Sequence, residues 1–268
     1  MLDIFQYDFM IRAFIAGAIT AVIAPTIGTF LVARRYSLIA DSFAHIALAG
    51  VAIGLLLKIY PIYAALAVVL VAAFAIERLR AREQVSGDAL LAIFLSGGLA
   101  IAVVLIGLAR GFNADLLSYL FGSIATVTAT DILVMAILGA VIFVMVFLLY
   151  KELAFTSFDS EVAATSGVPV GAINTILIIA TAVTVVLSMR IIGILLIGAL
   201  IVIPVSTAMQ LARSFKQIFA IAIGFSLASV MLGIFFSFYF DLAAGGTIVL
   251  ILLAIFALVL SLKSAVKP

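Results

Sequence analysis

The sequence predicts an all-α fold, a polytopic membrane helix bundle of about nine spans, with eight possible. Two observations predict it. Of 268 residues, 68% are hydrophobic and 10% charged, whereas a soluble domain is nearer half apolar and a quarter charged. A soluble surface must carry polar groups, so lipid is the solvent over most of this chain. The apolar residues also run in long unbroken stretches, not in the ~10-residue alternating strands of a membrane barrel.

A span needs ~20 mostly apolar residues, and a helix satisfies every backbone N–H within its own segment. Candidate spans lie near Ile11–Ala33, Ile39–Leu57, Ile62–Arg78, Ala89–Leu108 and Thr130–Tyr150. Four more lie near Val170–Met189, Ile191–Gln210, Lys216–Phe238 and Gly246–Leu262. Only Arg190 and Gly193 interrupt the run from the sixth into the seventh. If the first span stops short, the count becomes eight. Residues 1–268 read as one domain without internal repeats.

Basic residues orient the bundle, because Lys and Arg collect in cytoplasmic loops. With the Arg34–Arg35 loop inside, so are Arg78, Arg80, Arg82, Lys151, Arg213, Lys216, Lys263 and Lys267. Arg12, Lys58, Arg110 and Arg190 fall outside. The N-terminus is then external and the C-terminus cytoplasmic, in the cell (inner) membrane. Met1 begins no positively charged leader with a cleavage site and reads as part of the mature protein.

Three connections are long enough to hold structure. Arg80–Gly87 is short and charged. Gly111–Ala129 is external and carries Asp115, Tyr119 and a break at Gly122, with a short helix expected over Asn113–Phe121. Lys151–Pro169 is cytoplasmic. Its Asp159–Ser166 stretch predicts a short helix, with Ser157 or Asp159 as N-cap, Glu161 in the first turn, Gly167 at the C-terminal end and Pro169 preventing continuation.

Several function classes drop out. A net charge of +2 with scattered basic residues excludes a nucleic-acid footprint. Without cysteine there is no disulfide and no thiolate metal site. No G-x-x-x-x-G-K-[ST] loop occurs, so ATP-driven work needs a partner chain and the protein is not itself an enzyme.

The sharpest chemical feature is Asp41 with His45, the only histidine. At i and i+4 they share one helix face, and a carboxylate inside a span costs roughly 2.5 kcal/mol or more. Carboxylate oxygen and imidazole nitrogen are both ligands for divalent metals such as zinc. The pair is half of a four-ligand site, and a two-fold axis beside this helix would supply the rest. The alternative is that Asp41 caps or snorkels about one turn from the interface while His45 packs on one hydrogen bond. Pro204, inside an apolar span, leaves a carbonyl unpaired and predicts a kink, for packing or for gating. Ser96–Gly97–Gly98 permits close helix contact. Asp131 and Asp241 read as solvated at external helix ends, and Arg190 as an interfacial anchor.

The run Arg34–Arg35–Tyr36–Ser37–Leu38–Ile39–Ala40–Asp41–Ser42–Phe43–Ala44–His45 resembles the R-R-x-S-x-x-G-D-x-x-x-H pattern of zinc/manganese/iron permeases of ABC importers. Leu120–Phe121–Gly122 matches their external L-F-G element. Ser157–Phe158–Asp159–Ser160–Glu161 with Gly167–Val168–Pro169 is similar to their S-F-D-P-E…G-L-P segment, and Leu200–Pro204 with Thr207–Ala208 to their L-L-I-I-P-x-x-T-A helix. Asp241–Leu242 with Gly245, Gly246 and Thr247 resembles their last external turn. Ala40 stands where that family usually has glycine, and Ser160 where it has proline. Leu48–Ala49–Gly50 lacks the proline common in manganese-type members and, with Leu117–Ser118–Tyr119, leans toward zinc.

The resemblance implies the vitamin B12-type (type II) ABC importer transmembrane fold. It also implies a homodimer above two ATP-binding cassette ATPase subunits and an external metal-binding protein on the other face. Asp41 and His45 match the family's metal pair. Residues 157–168 match its coupling helix, which sets Asp159, Glu161, Ala164 and Gly167 against the ATPase. No cofactor is held permanently; the metal, Zn²⁺ or Mn²⁺, is cargo. The competing classes are an importer of a metal chelate or vitamin, which needs no ligands in the pore, and an ion-driven secondary transporter, which predicts more carboxylates within spans. An intramembrane enzyme would need a second histidine or a nucleophile pair.

Overall fold

The computed structural model describes residues 3–82, 85–108 and 114–266. Arg110, Gly111 and Lys267, placed in loops from the sequence, lie outside the described residues. The described chain is helical with no strand. The long helices are α1 (Asp8–Ala33), α2 (Leu38–Leu56), α3 (Pro61–Arg80) and α4 (Gly87–Leu108). After the short α5 (Ala114–Phe121) come α6 (Ala129–Leu148), α7 (Tyr150–Phe158) and α8 (Ser160–Thr165). The chain ends with α9 (Val170–Ser188), α10 (Ile197–Leu211), α11 (Phe215–Phe240) and α12 (Ala244–Val266).

Among the described residues eight helices are long and apolar enough to cross a membrane. The one that falls short is not the first, which has 26 residues, but α10, with 15. The apolar run from Ile191 becomes helical only at Ile197. Residues 189–196 turn, with Gly193 at φ +87°, and Met189, Ile191, Ile192 and Ile194 are fully buried. That stretch is apolar because protein encloses it, not because it spans. Irregular backbone at membrane depth needs internal partners. Here Ile194 N–H donates to Tyr119 O (2.9 Å) and Leu195 N–H to Leu120 O (3.3 Å), while Ser123 N–H donates to Arg190 O (3.1 Å). The first two bonds satisfy the Tyr119 and Leu120 carbonyls at the C-terminal end of α5, the helix expected over Asn113–Phe121, of which Asn113 lies outside the described residues.

Capping chemistry sets several boundaries. Pro61 opens α3 at a position whose N–H needs no partner. Thr128 and Asp131 form a reciprocal capping box on α6. Asp159 caps α8, its Oδ1 accepting from Glu161 N–H (3.1 Å) and Val162 N–H (2.9 Å). Ser157, the other expected cap, instead bonds back to Leu153 O (2.6 Å). Gly167 follows α8 at φ +86°, as expected for the residue that ends it.

α1 and α2 are central, with 72% of their most apolar stretch buried, against 28% for α4 and α6 and 22% for α12. The peripheral helices therefore keep broad apolar faces, such as Leu133, Ile137, Val141 and Phe147 of α6, for lipid. Contacts sort the connections to two ends. Arg34 with Ser157, Arg80 with the Tyr36 ring, Phe158 with Phe215 and Lys263 with Gln210 mark one end. Tyr60 with Asp131 and Arg190 marks the other. Arg34, Arg35, Arg78, Arg80, Arg82, Lys151, Arg213, Lys216 and Lys263 gather at the first end, and Arg12, Lys58 and Arg190 at the second.

Candidate functional site

Asp41 and His45 lie in the first two turns of α2. From Leu38 to Ala52 every side chain is buried except Leu38, Asp41 and His45. These recur at i, i+3 and i+7, so one narrow strip at the basic end of α2 is left open. The other faces are covered mainly by α3, α4, α9 and α10. Ser42 faces α4, its hydroxyl within 3.0 Å of Leu91 O, which fixes the rotation of α2 and so the direction of the strip. His45 Nδ1 is buried without a hydrogen-bond partner in the chain. Buried polar atoms usually have a hydrogen-bond partner, and this nitrogen has none within the chain. Among the described residues no three His, Asp or Glu side chains converge.

A residue that sequence reasoning missed completes the surroundings. Gly198, in the first turn of α10, lies so close to Asp41 that an added Cβ would overlap the carboxylate oxygen Oδ1. Gly28 of α1 meets the Ile201 carbonyl in the same way. These two close approaches seat α10 beside the basic-end halves of α1 and α2. Pro204 is buried in α10, which continues through it as helix. Lacking an N–H, it leaves the Leu200 carbonyl without its helical donor.

Two polar clusters flank the bundle. At the basic end Arg34, just past α1, donates from Nε to Ser157 Oγ (2.9 Å), and from its other nitrogens to Asn174 Oδ1 and Thr156 Oγ1. These line a cavity of about 220 Å³ with Tyr36 and Arg80. Burial and the nearby Arg80 guanidinium lower Arg34 to about 10, so it stays charged at neutral pH. The exposed face of α8 presents Glu161, Ala164 and Val162, with Ala163 buried beneath. Asp159 caps that helix and Gly167 closes it, so the four residues named for coupling share one short element.

At the opposite end the expectation for Asp131 and Arg190 is overturned. Asp131 is 3% exposed and Arg190 9%. Tyr60 Oη donates to Asp131 Oδ1 (2.8 Å) and accepts from Arg190 (2.8 Å), while Arg190 lies 3.5 Å from Asp131 Oδ2. The Arg190 guanidinium also covers the Tyr119 ring at 5.0 Å. Buried charges pair, and this network ties α3, α5, α6 and the 189–196 segment together. Asp241 does stay exposed, as the left-handed cap of α11.

Comparison with known proteins agrees with this architecture. The profile of the ABC 3 transport family matches residues 6–263. The chain is 34% identical to the high-affinity zinc uptake system membrane protein ZnuB of Haemophilus influenzae, over 91% of this chain and 94% of that protein. It is 29% identical to the manganese transport system membrane protein MntC of Halalkalibacterium halodurans, over 96% and 88%. Among solved structures, PsaBC from Streptococcus pneumoniae in complex with a Fab superposes with a TM-score of 0.83 at 30% identity, covering 96% of this chain and 92% of that one. By a match that runs nearly end to end, the chain belongs to the ABC 3 transport family.

Proposed function

We propose that the chain is the transmembrane permease subunit of an ATP-driven importer of divalent metal ions, Zn²⁺ ahead of Mn²⁺ or Fe²⁺. The observation that carries this reading is the open strip of α2. It offers one carboxylate and one imidazole, with a buried nitrogen lacking a partner, on an otherwise enclosed helix. Two protomers meeting across a two-fold axis at this strip would bring together two carboxylates and two imidazoles. That set suits a borderline divalent cation. It also binds more weakly than thiolates, as an ion that must leave requires. Zinc is favoured by Leu48–Ala49–Gly50 and by the higher identity to the zinc-uptake relative than to the manganese one.

In this reading the basic end faces the cytoplasm, with the N-terminus external and the C-terminus internal. Two ATP-binding cassette subunits dock there on residues 157–168, and an external metal-binding protein delivers cargo to the other face. ATP is hydrolysed by the partner subunits, and α10, whose ladder lacks one bond at Pro204, is the gating element. The test is metal uptake by vesicles holding the permease with its ATPase. His45→Ala abolishes uptake without preventing assembly, and Asp41→Asn does nearly the same. Wild-type uptake by a folded, partner-bound His45→Ala protein would overturn the metal-site reading.

A further inference from the structure

We propose that Arg34 is the positioning residue that links helix α8 to the Asp41–His45 pair. The inference rests on the proposed function, because it takes α8 as the ATPase-facing helix and Asp41 and His45 as the metal ligands.

The geometry is a short chain of contacts. α8 begins at Ser160, capped by Asp159, directly after the last turn of α7. Thr156 and Ser157 lie in that last turn, both nearly buried. Arg34 donates to both of them and to Asn174 in the first turns of α9. One side chain therefore grips the helix before α8 and the helix after it. Its backbone belongs to the turn between α1 and α2, where Arg35 has φ +58°. Arg34 N–H is held by Phe30 O (3.1 Å), and Tyr36 N–H by Leu31 O (2.8 Å). Three residues after Arg35 α2 begins, and Asp41 is in its first turn.

The acceptors are themselves anchored. Thr156 Oγ1 donates to Glu152 O (2.8 Å) and Ser157 Oγ to Leu153 O (2.6 Å). Their oxygens are thereby turned to receive Arg34, and the guanidinium cannot slip between alternatives without breaking more than one bond. All three partners are neutral. An ion pair would also have held the helices together, but here the planar fork of arginine reads three oxygens at fixed positions, which lysine cannot imitate. A displacement of α7–α8 thus reaches the α1–α2 turn through bonds that are already made.

The test uses the permease assembled with its ATPase partner in sealed vesicles, reading metal bound, ATP hydrolysed and metal taken up. In Arg34→Ala, metal affinity and ATP hydrolysis stay within about twofold of wild type, while metal carried per ATP falls at least roughly tenfold, about 1.4 kcal/mol of coupling. Arg34→Lys does not restore it. If Arg34→Ala fails to assemble, Thr156→Val with Asn174→Ala carries the test, with the same loss of coupling expected. Adding Arg34→Ala to that pair should cost little more, since the three act as one unit. Unchanged metal per ATP in these variants overturns the proposal. So does a parallel fall of affinity, hydrolysis and coupling, which marks a purely structural tie. An Asp41→Ala/His45→Ala control isolates the underlying reading: wild-type metal binding by that variant overturns the metal-site assignment and this inference with it.

Discussion

Gly198 of α10 lies against the carboxylate of Asp41 in α2, at a distance that leaves no room for a Cβ. The residue beside the metal-site candidate is thus fixed by sterics and not by charge. Gly198→Ala must displace either the Asp41 side chain or the start of α10. We expect metal uptake to fall about tenfold, the effect of roughly 1.4 kcal/mol lost at the site. Gly224→Ala is the control, since nothing lies within 4 Å of its added Cβ and alanine suits a helix interior better. Equal uptake by both variants would show that the contact is passive.

Helix α8 is only six residues long, with Ala163 buried and Ala164 exposed. A large side chain at Ala164 leaves the fold of the permease intact but fills the face that a partner would need. Ala164→Trp is expected to hold metal normally while ATP hydrolysis by the partner no longer drives uptake. Transport at the wild-type rate by this variant would remove α8 from the coupling route.

The buried pair of Arg190 and Asp131 sets a stability test at the other end. Removing one member of a buried pair leaves an uncompensated charge and costs about 3–5 kcal/mol. Arg190→Met should therefore lower the melting temperature in detergent markedly. Arg190→Met with Asp131→Asn should recover part of the loss, because asparagine still accepts the Thr128 cap bonds without carrying charge. An unchanged melting temperature for the single variant would mean that Arg190 contributes nothing net.

Orientation is open to direct labelling, since the chain has no native cysteine. Lys58 and Ser166 are both exposed and lie at opposite ends of the bundle. Single cysteines there should react with an impermeant thiol reagent from opposite sides, Lys58→Cys from outside and Ser166→Cys only in inverted membranes. Reaction from the same side would refute the alternating arrangement of helices.

Composition alone determined that lipid surrounds this chain, because no arrangement of 68% apolar residues presents a polar surface. Run length then placed the spanning helices to within a few residues, since each must satisfy its own backbone. That Asp41 and His45 share one face of α2 was legible from their i, i+4 spacing, and an ionisable pair there is costly without a reason. The short helix after Phe158 was legible from its cap and its closing glycine. Hydropathy could not separate residues 189–196 from a span, because protein burial and lipid exposure select the same side chains. Nor could it reveal that Asp131 and Arg190 neutralise each other with Tyr60 between them, or that Gly198 touches Asp41 and Arg34 reaches Asn174. Those pairs stand 59, 157 and 140 positions apart in the chain. Only the packing of helices decides which distant faces meet, and a single sequence carries the pattern of each helix without the identity of its neighbour.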